Sequence, residues 1–314
     1  MNNKFLRLVS DRVESYIHLR RSLGHAFESQ ASTLNAFRVF LENSADEGPL
    51  SQELVLAYVL SCDVTPNVRA RRYGVLRNFA TYLSVFDART ETLDPHALPR
   101  SRAVSPVRIL DDAELARLLK AARDCSIRYP TRGETLHTLI GLLASTGLRS
   151  GEALRLDRND VDLERGVLSI RKTKFRKDRL VPIHPTTCTI LQAYTKARDA
   201  AYPQSQSPAF FLSLRSGRLS SAGLSVAFRQ ACAHAKLNDG SPRPPRPHDL
   251  RHRFAVTRLV RWHQEGIDVQ ERLPLLATYL GHARYSDTAY YVTGTPELLG
   301  LAATRTFESK GGKS

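Results

Sequence analysis

Thr-Gly-Leu-Arg-Ser-Gly-Glu, residues 146–152, follows directly on an apolar run at 139–143. Gly147 stands at the end of that apolar helix. Arg149 then stands at the start of a second helix. Glu152, three residues on, is a carboxylate at the positive end of that helix, placed to orient Arg149. A lone arginine in such a turn is ordinarily a surface or capping residue. Three later stretches change that reading: His-Asp-Leu-Arg-His-Arg (248–253), Leu-Gly-His (280–282) and Thr-Ala-Tyr-Tyr-Val (288–292).

Five residues in these stretches carry the chemistry: Arg149, His248, Arg251, His282 and Tyr291. The planar fork of arginine meets two phosphate oxygens at once, a geometry lysine does not reproduce. A pair of forks stabilises the charge that develops on a five-coordinate phosphoryl transition state. Imidazoles can move a proton, and a phenol can serve as nucleophile. His248 and Arg251 are three apart, so a helix puts them on one face. His248 and His252 are four apart, which resembles a zinc helix. A metalloprotease motif, however, has Glu rather than Asp after the first His and needs a third ligand. Neither metal nor ATP is required by this set, and no cofactor is expected. Tyr290 and Tyr291 would point about 100° apart on a helix, so only one can face a phosphate; Tyr285 sits in the loop before them.

Outward from these stretches, the spacing of apolar residues predicts helices. In the first part of the chain Val9, Val13, Tyr16, Ile17 and Leu23 form one stripe, and Leu34, Phe37, Phe40 and Leu41 a second. Leu54, Val55, Tyr58 and Val59 mark a third helix capped by Ser51, and residues 67–86 a fourth that opens on the basic cluster 68–73. A bundle of four helices follows. Pro95, Pro99 and Pro106 punctuate a polar stretch that reads as a linker. Asp111 and Asp112 then open a helix that buries Leu115, Leu118 and Leu119. Residues 167–171 and 179–183 carry strand formers and read as a hairpin, with residues 210–212 as a candidate third strand. A helix over 248–264, preceded by Pro247 and ended at Gly266, carries the His-Asp-Leu-Arg stretch. The expected fold class is mainly α with a small antiparallel β-hairpin sheet.

Composition narrows the partner. In 314 residues, 46 Lys and Arg stand against 31 Asp and Glu, a formal charge of +15, which favours a polyanion over a merely solvated basic surface. No apolar run approaches ~20 residues and the N-terminus has no apolar signal core, so a cytoplasmic protein without a membrane span is expected. Cys62, Cys125, Cys188 and Cys232 are widely spaced and read as small buried thiols rather than a disulfide framework or zinc site.

Taken in order, the four stretches resemble those of the tyrosine recombinases, the phage-integrase superfamily. Its signature is an arginine, a hairpin lysine, His-x-x-Arg, a second His or Trp, and a tyrosine. The likeness covers 107–292. It implies site-specific DNA recombination or integration through a covalent 3′-phosphotyrosyl intermediate. By the same likeness, Lys174, found by counting back from Arg-Leu-Val-Pro (179–182), protonates the departing 5′ oxygen. Lys172, two residues from Lys174 and so on the same face of a strand, stays open as an alternative, as does Lys177. His282 precedes Tyr291 by nine residues, the interval that selects Tyr291 over Tyr290 as nucleophile.

The resemblance also implies an organisation: residues 1–90 as a core-binding, SAM-like DNA-binding bundle, 91–106 as linker, and 107–314 as the catalytic domain. Bundle and catalytic domain would clamp duplex DNA. The implied assembly is a homotetramer on two DNA sites, with accessory recombination proteins as further partners. A helix at 296–307, with Leu298, Leu299 and Leu301, would dock on a neighbour. The tail 291–299 resembles that of integrases carried by transposons and plasmids, which points to transposition of a mobile element. Two rivals stay open: a type IB topoisomerase, which relaxes supercoils by the same chemistry, and a non-cleaving DNA-binding protein of the same fold.

Overall fold

The computed structural model describes residues 4–44, 48–99, 108–124, 129–171, 178–238, 244–282 and 288. The chain divides into two compact units, 1–104 and 105–314.

The first unit is built from α1 (Lys4–Ser22), α2 (Glu28–Glu42), α3 (Gln52–Ser61) and α4 (Pro66–Leu83). Val9, Val13, Leu34, Phe37, Val55, Val59, Leu76, Phe79 and Leu83 are fully buried between them, one stripe from each helix. Tyr16 packs edge-on to Phe27 at 5.7 Å and tilts against Tyr82 at 4.9 Å, which fastens α1 to the end of α4. The Ser51 hydroxyl accepts the Leu54 N–H and so caps α3 as its sequence suggests. Leu23 departs from the expected stripe. It lies beyond the end of α1, where Gly24 at φ 86° turns the chain, and it is 63% exposed. Part of the stretch expected as linker belongs to this unit as well. Leu93 is buried in its core, the Glu91 N–H donates to Leu50 O, and the Tyr73 hydroxyl donates to Asp94 O. One buried leucine and backbone pairing outweigh the local proline punctuation.

The second unit contains α5 (Asp112–Asp124), α6 (Pro130–Thr146), α7 (Ser150–Arg155), β1 (Val161–Asp162), β2 (Val167–Ile170), β3 (Arg179–Pro182), α8 (Pro185–Ala201), α9 (Ser221–His234), α10 (Pro247–Gln264) and α11 (Val269–Leu280). The α6 helix is its axis. Leu136, Leu139, Ile140, Leu142 and Leu143 are buried along it, where α5, α8 and α10 pack against the helix. The sheet is antiparallel in the order β1-β2-β3, with Leu168 opposite Val181 and Ile170 opposite Arg179. Its third strand is β1 rather than residues 210–212, of which Leu212 makes an isolated bridge with Arg218. Phe210 and Phe211 are apolar because they fill the core, 3% and 0% exposed, and not because they extend a ladder.

Of the cysteines, Cys232 is buried while Cys62 and Cys188 are only half-buried. Burial pushes the Cys232 thiol up to about 12. Cys125 and the helix expected at 296–307 lie outside the described residues. Among the described residues no helix is long and apolar enough to cross a membrane.

Candidate active site

The end of α6 generates the first site residue. Gly147 takes φ +63° as the helix terminates, and a Cβ there would stand 2.5 Å from Phe254 Cδ1, so both backbone and space require glycine. The chain then turns, and Arg149 becomes the N-cap of α7. Glu152, in the first turn of α7, accepts the Arg149 backbone N–H at 3.1 Å and its Nη1 at 3.0 Å. The orienting role read from the sequence is therefore present in the geometry.

Glu152 is 4% exposed and holds a second guanidinium besides Arg149. Arg179, the first residue of β3, donates from Nη1 to Oε1 at 3.1 Å and from Nη2 to Oε2 at 2.8 Å. Burial alone would raise the Glu152 carboxyl, but Arg179 and then Arg149 more than offset it and hold the group at about 2. It is ionised at any working pH.

The C-terminus of α11 collects three arginines on three successive carbonyls. Arg179 Nε donates to Tyr279 O at 3.0 Å, Arg251 Nη2 to Leu280 O at 2.8 Å, and Arg149 Nη2 to Gly281 O at 3.0 Å. The last carbonyls of a helix lack intrahelical partners and carry the negative end of its dipole, so cations satisfy them twice over. Arg251 also donates from Nη1 to Gly147 O at 2.8 Å, which joins the ends of α6 and α11 through one side chain of α10. It is 1% exposed, a buried strut in this arrangement rather than an open clamp.

His282 follows directly, after Gly281 at φ +68° has ended α11. Its Nδ1 lies 2.6 Å from the hydroxyl of Thr288, which is fully buried. His248 sits in the first turn of α10, one turn before Arg251, and meets His252 edge-on at 4.8 Å. Among the described residues no group of three His, Cys, Asp or Glu side chains could hold a metal ion. Arg253, from the same stretch, serves another purpose: its Nε donates to Leu110 O at 2.9 Å and its Nη2 pairs with Asp112, which ties α10 to the start of α5.

The structure thus brings Arg149, Arg251 and His282 to one helix end, with His248 a turn away from Arg251. Lys174, with its alternatives Lys172 and Lys177, and Tyr291, with Tyr290 and Tyr285, lie outside the described residues. A further phenol nearby, Tyr279, stacks on Phe254 at 5.6 Å and donates to Pro182 O. Burial pushes it up to about 12 against the opposing effect of Arg258 and Arg179, so it stays protonated and structural. Sequence reasoning missed Arg179 and Thr288. The signal for Arg179 was its place before Leu-Val-Pro, which served only to count back to Lys174.

Residues 108–297 match the phage integrase family, more than half of the 314-residue chain. The chain belongs to the phage integrase family. Among its relatives in this family is y4rE of Sinorhizobium fredii, by name an integrase/recombinase, 56% identical over 96% of this chain and 97% of that protein. The tyrosine recombinase XerC of Chlamydia caviae is 25% identical over 87% of this chain and 90% of its own length. Among solved structures, the Tn1549 transposon integrase in complex with transposon right-end DNA superposes with a TM-score of 0.66, covering 95% of this chain and 98% of that one. At 16% identity that likeness carries the fold alone, and it is the fold of a tyrosine recombinase.

Proposed function

We propose that this phage integrase family member is a site-specific DNA recombinase or integrase that cuts and rejoins DNA strands through a 3′-phosphotyrosine. The observation that supports it most is the convergence of Arg149 and Arg251 on adjacent carbonyls, Gly281 and Leu280, at the point where His282 leaves the helix. Three elements far apart in sequence place two guanidiniums and an imidazole together, which suits a dianionic phosphoryl transition state. Contact of Arg251 with a phosphate entails uncovering it, since it is 1% exposed here.

In this reading the Tyr291 phenol attacks a backbone phosphorus. A phenol of pKa near 10 must lose its proton to attack at neutral pH, and His248 takes it. The bond from phosphorus to the 5′ oxygen breaks, and Lys174 supplies the proton that leaves with that oxygen as a 5′-hydroxyl. A 5′-hydroxyl from a second strand then attacks the phosphotyrosine and releases the phenol. The ester conserves the bond energy, so no nucleotide cofactor is consumed. Residues 1–90 bind DNA, 107–314 carry the reaction, and the working species is a homotetramer on two duplex sites, assisted where required by accessory proteins. Transposition of a mobile element is the setting the 291–299 tail suggests.

The test is covalent capture. The full chain is incubated with a library of nicked duplexes, denatured in detergent, and scored for protein–DNA adducts. Adducts that vanish in Tyr291→Phe and persist in Tyr290→Phe support the reading; adducts that survive Tyr291→Phe overturn it. Joining of two captured duplexes separates a recombinase from an enzyme that only relaxes supercoils.

A further inference from the structure

Glu152 is shared rather than owned. Oε1 accepts from Nη1 of both Arg149 and Arg179, and Oε2 accepts from the Arg149 backbone N–H and from Arg179 Nη2. Neither oxygen can turn toward one arginine without loosening its bond to the other. Resting on the recombinase reading above, we infer that Arg179 is a positioning residue for strand cleavage. Through Glu152 it fixes the direction of the Arg149 fork, while its own guanidinium is held in place by the bond from Nε to Tyr279 O.

Three observations carry this. First, the Arg179 side chain is 12% exposed and its Nε, Nη1 and Nη2 are all engaged, so it is built into the site rather than laid over it. Second, Gly281 has the form its neighbour requires. A Cβ on it would stand 2.7 Å from Arg179 Nη1, and its φ of +68° is a left-handed conformation as well. The glycine between Leu280 and His282 therefore leaves the room that the Arg179 guanidinium occupies. Third, Arg179 opens β3 and pairs with Ile170 of β2, so its backbone is fixed by the hairpin ladder. The strand that follows the Lys174-bearing stretch is thereby coupled to the Arg149 turn by one carboxylate. A carboxylate with a single cation can rotate about its last torsion, and a misplacement of about 1 Å in a catalytic group costs about 10²-fold in rate.

Arg179 touches none of the reacting atoms in this account, so its effect must pass through Arg149. The experiment is a double-mutant cycle of Arg179→Gln and Arg149→Lys, read as single-turnover adduct formation at saturating duplex captured with the wild-type chain. Arg179→Gln is expected to slow adduct formation about 10- to 100-fold with duplex affinity changed less than about threefold. In the Arg149→Lys background the same substitution is expected to cost less than about threefold. Equal losses in both backgrounds, or no loss in the wild-type background, overturn the inference. Arg179→Lys, which keeps the cation but not the fork, runs in parallel, and the cycle is read on whichever variant keeps the wild-type unfolding transition of Trp262. If neither keeps it, Arg179 is a folding residue and the inference falls. Failure of the wild-type chain to form any adduct would instead refute the recombinase reading.

Discussion

Replacing Glu152 with Gln removes one charge and leaves two guanidiniums facing an amide. The native carboxylate accepts four hydrogen bonds, three from guanidinium nitrogens and one from a backbone N–H. Its folded value of about 2 lies well below the ordinary carboxylate range. That displacement is worth about 3 kcal/mol at neutral pH. Breaking a buried pair by removing one partner costs about 3–5 kcal/mol, the same order by an independent route. The folded pKa is depressed, so the stabilisation is present above about pH 5 and is lost as pH falls toward 2. The single tryptophan, Trp262, lies in α10 of the same unit and packs beside its buried leucines, so its fluorescence reports the relevant unfolding. Urea titrations at pH 7 should show Glu152→Gln less stable by about 3–5 kcal/mol. Near pH 2.5 the gap should narrow by about 2–3 kcal/mol, because the wild-type carboxylate then loses its advantage. A gap under about 1 kcal/mol at pH 7, or one that does not change with pH, would refute the electrostatic account of this carboxylate.

Further outcomes follow from particular contacts. Gly147→Ala places a Cβ 2.5 Å from Phe254 Cδ1 at φ +63°, and should destabilise the second unit by about 1–3 kcal/mol in the same titration. Thr288→Val keeps the shape of a fully buried side chain but removes the partner of His282 Nδ1, so about 1–3 kcal/mol should be lost. Nitrogen NMR of the His282 ring should then show a mixture of tautomers where the wild type shows one. For duplex binding, a chain of charge +15 should give a log affinity that falls steeply with log salt, by about 0.9 for each phosphate neutralised. A flat titration would remove phosphate contact as the source of affinity.

How much of this was legible in the chain differs from residue to residue. Helices α1 to α4 and α10, the two strands of the hairpin and the Ser51 cap follow from local rules, since periodicity, capping and turn chemistry act within a few residues. The link between Arg149 and Glu152 was legible for the same reason, three residues on one turn. Leu23 and residues 210–212 were misread where an apolar residue has two explanations. A helix stripe and an exposed turn, or a strand and a core plug, look alike without neighbours.

The order of four short stretches, and their resemblance to a family signature, named Arg149, His248, Arg251, His282 and Tyr291. Only the tertiary structure shows that Arg251 is buried across the ends of α6 and α11, and that Arg179 shares the carboxylate of Glu152. Those contacts span 104, 29 and 27 residues. Sequence determines which side chains can pair; which of 46 cations reach the three carbonyls at the end of α11 is decided by how the helices pack. Packing sets β3, α7 and α10 beside this helix end, whose carbonyls lack intrahelical partners and take their donors from whatever element lies beside them.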